Sequence, residues 1–554
     1  MEKITEIKSE YLFTLFIVLL TMIFFTSSCN DSLNITPKSS VSDETLWENE
    51  STATLFLNGI YANIPGSIYN QFDAEENWSD NSINGAVSSE YSWITYAHAA
   101  YTPDNVLHFW GNFNAVRKCN LFIEKVSERP FSENWKKQHL AEVRFLRAYF
   151  YMWMCTAHGG LPIITDVLNY QEQGDEIFRS RNTIEETFQF IINECNEIVN
   201  DLPLKSPEGR ITQGAALALK GYCELFWASP LYNIDNNKNR WEVAALTYKR
   251  IIDSKVYDLF PDYNSMFLEE NNGNIETIFA YHYLGGSLGS SHEGLHGVRM
   301  TKGAMTGWAL MNPTQEIVDE YFMANGLPIG DPKSGYNPQS PYENREKRFY
   351  QSIVFDGAEW NGDVIYTRTG MGSGNEIDLT ATNERTGTGY YLKKAMNSKH
   401  AAAGSNGLSS ADFILFRYAE ILLSYAEAQN EAVGPDQSVY DAVNRVRARV
   451  ELPPLAEGLT KDEMRVAIHQ ERRVELAFEN KRWRDLLRLK IAENKLNGTL
   501  HGMLVEVENE KLTYKVVPAC EGEVNFISPK NYLLPIPQAA IDRNPNLEQN
   551  PGYN

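Results

Sequence analysis

Residues 412–490 form the stretch that most constrains the fold, because apolar residues recur there at intervals of three and four. Such spacing places them on one face of an α-helix. The pattern predicts three helices, at 412–430, at 438–450 and from about 461 to 489 if the last one is unbroken. A glycine–proline pair at 434–435 and a proline pair at 453–454 separate them. This part of the chain is therefore predicted to be a set of packed helices.

The apolar face of the third predicted helix also carries charges, Glu471, Glu475 and Arg482. An unpaired buried ion costs roughly several kcal/mol, so these charges need partners. Two carboxylates one helical turn apart could serve as the acid and nucleophile of a retaining glycosidase, which are about 5 Å apart. Arginines are abundant on the same helices, and we therefore favour a structural ion network. These arginines are Arg445, Arg447, Arg449, Arg472, Arg473, Arg482 and Arg484.

The first half of the chain predicts further helices separated by short turns. Predicted segments are a helix near 51–61 capped by Asp43 or Ser51, and helices at 103–122, 136–157, 183–201, 212–228 and 240–254. Helix–turn–helix units at a spacing of 30 to 40 residues indicate a stacked helical array. The fold class is therefore predicted to be mainly α, with stacked helix pairs. Arg144 and Arg147 share one face of the 136–157 helix and need carboxylate partners.

Between residues 257 and 411 the helical periodicity gives way to glycine-rich, asparagine-rich and aromatic segments. One helix is predicted at 313–324, opening with Asn312 as its cap, and short strands are predicted at 348–355, 363–369 and 390–394. Long loops on a rigid support are where ligand contacts usually collect. This loop-rich insert is therefore the first place to expect a binding site.

Residues 1–28 have the pattern of a lipoprotein signal peptide. Lys3 and Lys8 precede a fifteen-residue uncharged run at 11–25, which is short for a membrane span but typical of a secretory signal. Small residues and then Cys29 follow, which predicts acylation of Cys29 as the first mature residue. The alternative is an ordinary cleaved signal with an incidental cysteine, since Thr26 stands where such a motif usually has leucine.

The formal net charge of −22 argues against nucleic acid as a partner, because an acidic surface repels phosphate backbones. Beyond Cys29 there are five cysteines, an odd number without close pairs. Four of them lie in helical patterns, where a free cysteine acts as a small apolar residue. We expect neither a disulfide framework nor a bound cofactor.

The sequence His292-Glu-Gly-Leu-His296 matches the HExxH zinc motif, and Glu316 lies where some zinc peptidases place a third ligand. That chemistry needs a helix, so that both histidines share a face while Glu293 activates water. Glycines surround the motif, and each costs about 1 kcal/mol inside a helix. A metallopeptidase remains an alternative, but we expect a protein that is not an enzyme.

Aromatic residues outside the helical patterns are the strongest indication of a binding function. Sugar rings present apolar C–H faces that stack on Trp and Tyr, while Asn, Asp and Arg bond the hydroxyls. The candidates are Trp78, Tyr91, Trp93, Tyr96 and Tyr101 between helices, and Trp308 and Trp360 in the insert. Trp110 and Trp483 lie on helical patterns and are assigned to the core. For each loop aromatic, the competing interpretation is that it fills the core beneath a loop.

Several sequence blocks together form a recognisable family pattern. Those of the C-terminal part are at 416–428, 442–449, 471–479 and 482–486, and others are at 141–148, 159–163, 532–537 and 544–553. These blocks resemble the SusD/RagB family of outer-membrane nutrient-binding lipoproteins, and the resemblance covers nearly the whole chain after the signal. It implies one domain at 29–554, built on degenerate tetratricopeptide-like repeats, with parts at 29–256, 257–411 and 412–554.

The resemblance also implies a function. Such a protein, anchored in the outer membrane by lipid and exposed at the cell surface, captures an oligosaccharide and delivers it to a SusC-like TonB-dependent transporter. Capture of oligopeptides, which some members of the family perform, is the alternative. In glycan-binding members of the family, aromatic residues in the same regions of the chain form the sugar platform. The resemblance therefore suggests that Trp78, Trp93, Tyr96 and Trp308 stack on sugar rings. Asp80, Asn81 and Arg299 are then the suggested partners of the sugar hydroxyls.

Overall fold

The computed structural model describes residues 43–64, 75–85, 96–106, 109–206, 209–286, 288–380, 385–401 and 408–553. Within these residues the protein is mainly helical with short strands, which confirms the predicted fold class. The predicted signal peptide, Cys29, Tyr91 and Trp93 lie outside the described residues.

The helices of the N-terminal half are α1 (Asp43–Leu46), α2 (Glu50–Tyr61), α3 (Asn112–Ser127), α4 (Glu133–His158), α5 (Tyr170–Gln173), α6 (Ile184–Ile198), α7 (Gln213–Ala228) and α8 (Lys238–Ser254). The remaining helices are α9 (His292–His296), α10 (Gln315–Val318), α11 (Lys347–Ser352), α12 (Tyr418–Val433), α13 (Gln437–Arg449), α14 (Lys461–Glu475), α15 (Arg482–Arg488), α16 (Ala492–Lys495) and α17 (Gln538–Arg543). Each long helix packs on its neighbour, α3 on α4, α4 on α6, α6 on α7, α7 on α8, α8 on α12, and α12 on both α13 and α14. The array of stacked helices is therefore continuous across the insert.

Side-chain caps explain several helix starts. Thr183 and Glu186 form a capping box at α6, and Thr460 and Glu463 form one at α14. In each box the two residues satisfy backbone N–H groups that have no partner within the helix. Asn49 caps α2, so the predicted caps for that helix were wrong. The helix predicted from 103 begins only at α3, nine residues later.

Two of the three predicted C-terminal helices differ from the prediction. The stretch 413–417 is strand β10 (Phe413–Arg417), which pairs antiparallel with β2 (Thr277–Tyr281) before α12 starts. The third helix is broken between α14 and α15, where Phe478 and Asn480 have positive φ angles of 64° and 57°. The carboxylate of Glu76 accepts hydrogen bonds from the N–H groups of both residues, at 2.9 and 3.0 Å. A contact from a distant segment therefore stabilises the break.

The short strands are paired two by two. They are β1 (Ser82–Ile83) with β5 (Asn312–Pro313), β3 (Met300–Thr301) with β4 (Ala304–Met305), β6 (Ile353–Val354) with β9 (Tyr391–Leu392), and β7 (Ala358–Trp360) with β8 (Asp363–Ile365). The helix predicted at 313–324 is only the single turn α10. Asn312, the predicted cap, and Pro313 pair with β1, so the N-cap position falls on Thr314, which makes no side-chain cap bond. The strand predicted at 348–355 is mostly helix α11. A long hairpin of β11 (Gly498–Glu508) and β12 (Lys511–Val524) was not predicted.

A buried ion network connects the insert to the C-terminal helices. Glu475, at the end of α14, pairs with Arg348 of α11, Arg417 of β10 and Arg449 of α13. Glu471 pairs with Arg348, and the side chains of both glutamates have no exposed surface. The predicted structural network is confirmed, and these carboxylates do not face a cleft as those of a glycosidase would.

The same pairing rule holds in the N-terminal half. Arg147 binds Glu194 at 2.7 Å, and Arg144 binds both Glu194 and Glu197, as the need for carboxylate partners predicted. The five cysteines of the described chain are buried and free of disulfides.

Glu224 on α7 is expected to make the free energy of unfolding depend on pH. Burial raises the pKa of Glu224 to about 7, although Lys220 lies 3.5 Å away and opposes the shift. A carboxyl whose folded pKa is raised stabilises the fold fully below its unfolded pKa, and this contribution is lost as the pH rises through 7. The urea midpoint of Glu224→Gln, compared with that of the parent, is therefore expected to be higher at pH 8 than at pH 5. Glu185→Gln, on the exposed face of α6, is the control. An equal difference at both pH values would contradict the assignment.

Candidate ligand-binding site

Two of the predicted stacking residues lie in the interior. The rings of Trp78 and Tyr96 stack on each other with centroids 4.0 Å apart, and Trp483 packs edge-on against Trp78. Trp78 is 3% exposed and Tyr96 is 7% exposed. Both belong to an apolar cluster with the C-terminal segment, so neither presents a ring face to a ligand. For these two residues the competing interpretation as core aromatics is correct.

The polar candidates beside them are also structural. Asp80 binds Arg482 at 2.7 Å and Arg473 at 3.0 Å. Burial alone would raise the pKa of Asp80, but the two guanidinium groups outweigh it and hold the pKa well below the usual range. Asn81 donates to Glu76 and accepts from Arg473. The assignment of Asp80 and Asn81 as hydroxyl partners is therefore wrong, because their hydrogen-bonding atoms are used inside the protein.

Trp308 and Arg299 remain at the surface and form a pair. The guanidinium carbon of Arg299 lies 4.9 Å from the centre of the Trp308 ring, and both side chains are partly exposed. The side chain of Trp308 packs on Leu295 and Leu310. The backbone N–H of Trp308 donates to the carbonyl of Gly294 at 2.9 Å. The apolar base and the backbone bond fix the ring, and the guanidinium of Arg299 lies over it. Such a pair combines an apolar ring with hydrogen-bond donors, the two kinds of contact that sugar recognition requires.

Loops of the insert hold this surface in place. Asn375 accepts from the N–H of Met300 and donates to its carbonyl, both at 2.8 Å. The N–H of Lys302, in the turn between β3 and β4, donates to Asp363 of β8 at 2.6 Å. The hairpin next to Arg299 is thereby tied to two other segments of the insert. Trp360 on β7 is buried and does not contribute a surface ring.

Trp93 lies outside the described residues, and its role in binding stays a prediction.

The HExxH motif forms one helical turn, α9, which the surrounding glycines were expected to prevent. His292, Glu293 and His296 are all buried. Burial lowers the pKa of His292 to about 3 and raises the pKa of Glu293. Glu316 instead accepts from the ring and the N–H of His501 on the long hairpin. In the described part of the chain, no group of three His, Cys, Asp or Glu residues could hold a metal ion.

The assignment of Trp110 to the core is confirmed in part, because Trp110 packs against the main apolar cluster but stays partly exposed. Trp110 precedes α3 and lines a cavity together with Phe113.

These features define a helical binding scaffold with an aromatic–arginine surface on its insert. The model of the SusD family matches residues 275–553, and a second model, described as starch-binding associating with outer membrane, matches residues 31–221. The chain belongs to the SusD family.

Known relatives agree with this assignment along nearly the whole chain. A SusD-like protein of Formosa agariphila is 26% identical over 93% of this chain and 90% of its own length. The crystal structure of a SusD-like protein from Bacteroides fragilis covers 94% of this chain and 100% of its own, with a TM-score of 0.78 and 28% identity. A SusD-like carbohydrate-binding protein from the same species has a TM-score of 0.77 and 25% identity, over 91% of this chain and 100% of its own. Among the described helices, none has the length and apolar character needed to cross a membrane.

Proposed function

We propose that this protein is a cell-surface lipoprotein that binds an oligosaccharide and passes it to a SusC-like TonB-dependent transporter in the outer membrane. It acts by binding alone, without making or breaking a bond in the ligand. The observation that carries the proposal is the Trp308–Arg299 pair, held at the surface of a SusD-family scaffold.

The chemistry of this pair supports a sugar ligand. The ring of Trp308 is large and apolar, and Arg299 brings several N–H donors in a planar group. An oligosaccharide needs both kinds of contact, because each sugar ring has apolar C–H faces and hydroxyl groups at its edge. The names of the related proteins point to the same class of ligand, since one solved relative is described as carbohydrate-binding.

A glycan array with residues 30–554 tests the proposal. We expect binding to a restricted set of oligosaccharides, and the bound glycan should be recovered unchanged after incubation. Peptides retained through purification and a silent array would instead support oligopeptide capture. Accumulation of shortened glycans would contradict a protein that only binds. Co-isolation of a SusC-like transporter with the tagged protein tests the proposed delivery.

The proposed lipid anchor gives a separate prediction. Cys29→Ala is expected to move the protein from the membrane pellet to the soluble fraction and to abolish incorporation of labelled fatty acid, because Cys29 is the proposed acylation site. Ser28→Ala, which keeps a small residue beside an intact Cys29, is the control and should stay in the membrane pellet. A Cys29→Ala protein that remains membrane-bound would rule out acylation at this residue.

A further inference from the structure

The cavity lined by Trp110 and Phe113 lies away from the insert, between the start of α3, the chain after α4 and helix α17. Its volume is about 480 Å³, within the range of roughly 300–1,000 Å³ that is typical of small-molecule sites. The principal lining side chains are Trp110, Phe113, Pro162, Ile164, Leu168 and Leu547. These residues form an apolar floor with two aromatic rings.

Charged side chains surround this floor, and most of them are positive. Arg117, Arg179 and Arg543 line the cavity, with Asp166 as the one carboxylate among the lining residues. The lining therefore carries a formal charge of +2, in a chain whose net charge is −22. A local excess of positive charge on an acidic protein attracts anions to this place and repels cations from it.

Hydrogen bonds hold the walls in position. Arg117 donates to the carbonyl of Leu168 at 2.7 Å, which uses one of the five N–H donors of its guanidinium. The side chain of Asn120 donates to the carbonyls of Ile164 and Asp166, each at 3.0 Å. Asn544 donates to the carbonyl of Arg179 at 2.9 Å. The cavity is thus preformed, which limits the ordering cost of binding.

We propose that this cavity binds a small organic anion with an apolar body, such as an aromatic carboxylate or sulfonate. The apolar part of the ligand lies on the rings of Trp110 and Phe113. Its anionic group pairs with Arg117 and Arg543, which both line the cavity. Asp166 pairs with Arg179 at 3.2 Å and partly neutralises it, so the other two arginines carry the selectivity for an anion. This inference does not depend on the proposed glycan function.

The test uses 8-anilinonaphthalene-1-sulfonate as the probe and its uncharged analogue N-phenyl-1-naphthylamine as the comparison. Both fluoresce when they enter an apolar site, and residues 30–554 are titrated with each. Arg543→Glu changes the lining charge from +2 to zero and is expected to weaken the sulfonate about tenfold while changing the neutral analogue less than about twofold.

Two further variants make the result decisive. Ala540→Trp fills the cavity and is expected to weaken both probes, with thermal melting used to confirm that the protein is folded. Arg250→Glu, an exposed arginine on α8, is the matched control and should leave both affinities unchanged. Equal binding of the sulfonate to the parent and to Arg543→Glu would overturn the proposal, whatever Ala540→Trp does. Equal loss of both probes in Arg543→Glu would overturn the anion selectivity.

Discussion

Glu475→Ala is expected to lower the free energy of unfolding by about 3–5 kcal/mol, because removing one partner of a buried ion pair leaves uncompensated charge. Three guanidinium groups converge on this carboxylate, from Arg348, Arg417 and Arg449. Burial alone would raise the pKa of Glu475, but the three arginines outweigh it and hold the pKa well below its ordinary value. The carboxylate therefore stays charged, and its loss leaves an excess of buried positive charge.

Urea and thermal unfolding of the parent and variant measure this effect. Glu197→Ala is the matched control, because Glu197 also pairs with an arginine, but its side chain is 63% exposed. An exposed pair contributes less than about 1 kcal/mol, so this control should unfold close to the parent. If the two variants lose the same stability, the buried network does not have the structural role assigned to it.

Trp308→Ala is expected to have the largest effect on ligand binding. Truncating a central aromatic residue of a binding site costs roughly 2 kcal/mol or more, which corresponds to about a 30-fold rise in Kd. The structure predicts little effect on folding, because Trp308 is only partly buried and packs on a small cluster with Leu295 and Leu310. Calorimetric titration with a glycan identified on the array measures the Kd, and the melting temperature checks the fold. Arg299→Ala should weaken binding without removing the ring.

The helical side of the protein offers a matched control for this substitution. Trp227 is also partly exposed and also carries an arginine over its ring, with the guanidinium carbon of Arg240 at 4.1 Å from the ring centre. Trp227→Ala therefore removes the same kind of pair at a different place and should leave the glycan Kd unchanged. A folded Trp308→Ala protein with the parental Kd would place the binding site elsewhere on the chain.

Much of the helical scaffold could be predicted from local patterns. Helix α4 was predicted at 136–157 and is observed at Glu133–His158, and α13 was predicted at 438–450 and is observed at Gln437–Arg449. The prediction failed where residues with a helical pattern pair with a distant segment of the chain. The 412–430 pattern begins as strand β10 because β2 pairs with it, and backbone pairing overrides a helical preference in so short a segment.

The candidate site could be predicted only in part. Spacing and composition indicated loop aromatics, and Trp308 with Arg299 are the predicted site residues that the described structure leaves at the surface. Trp78 and Tyr96 stand in an equally polar stretch, yet they are buried against Trp483. Polar neighbours in the sequence do not reveal which side of a loop faces the core.

By itself the sequence determined that the chain forms stacked helices and that the charges on their apolar faces are paired. Periodicity is a local property, and the cost of an unpaired buried charge is the same in any fold. Tertiary structure alone decided where the third C-terminal helix breaks and which of the predicted stacking residues reaches solvent. Glu76 supports that break from 402 residues away in the sequence. Contacts of this range depend on how whole segments pack, and no local pattern contains that information.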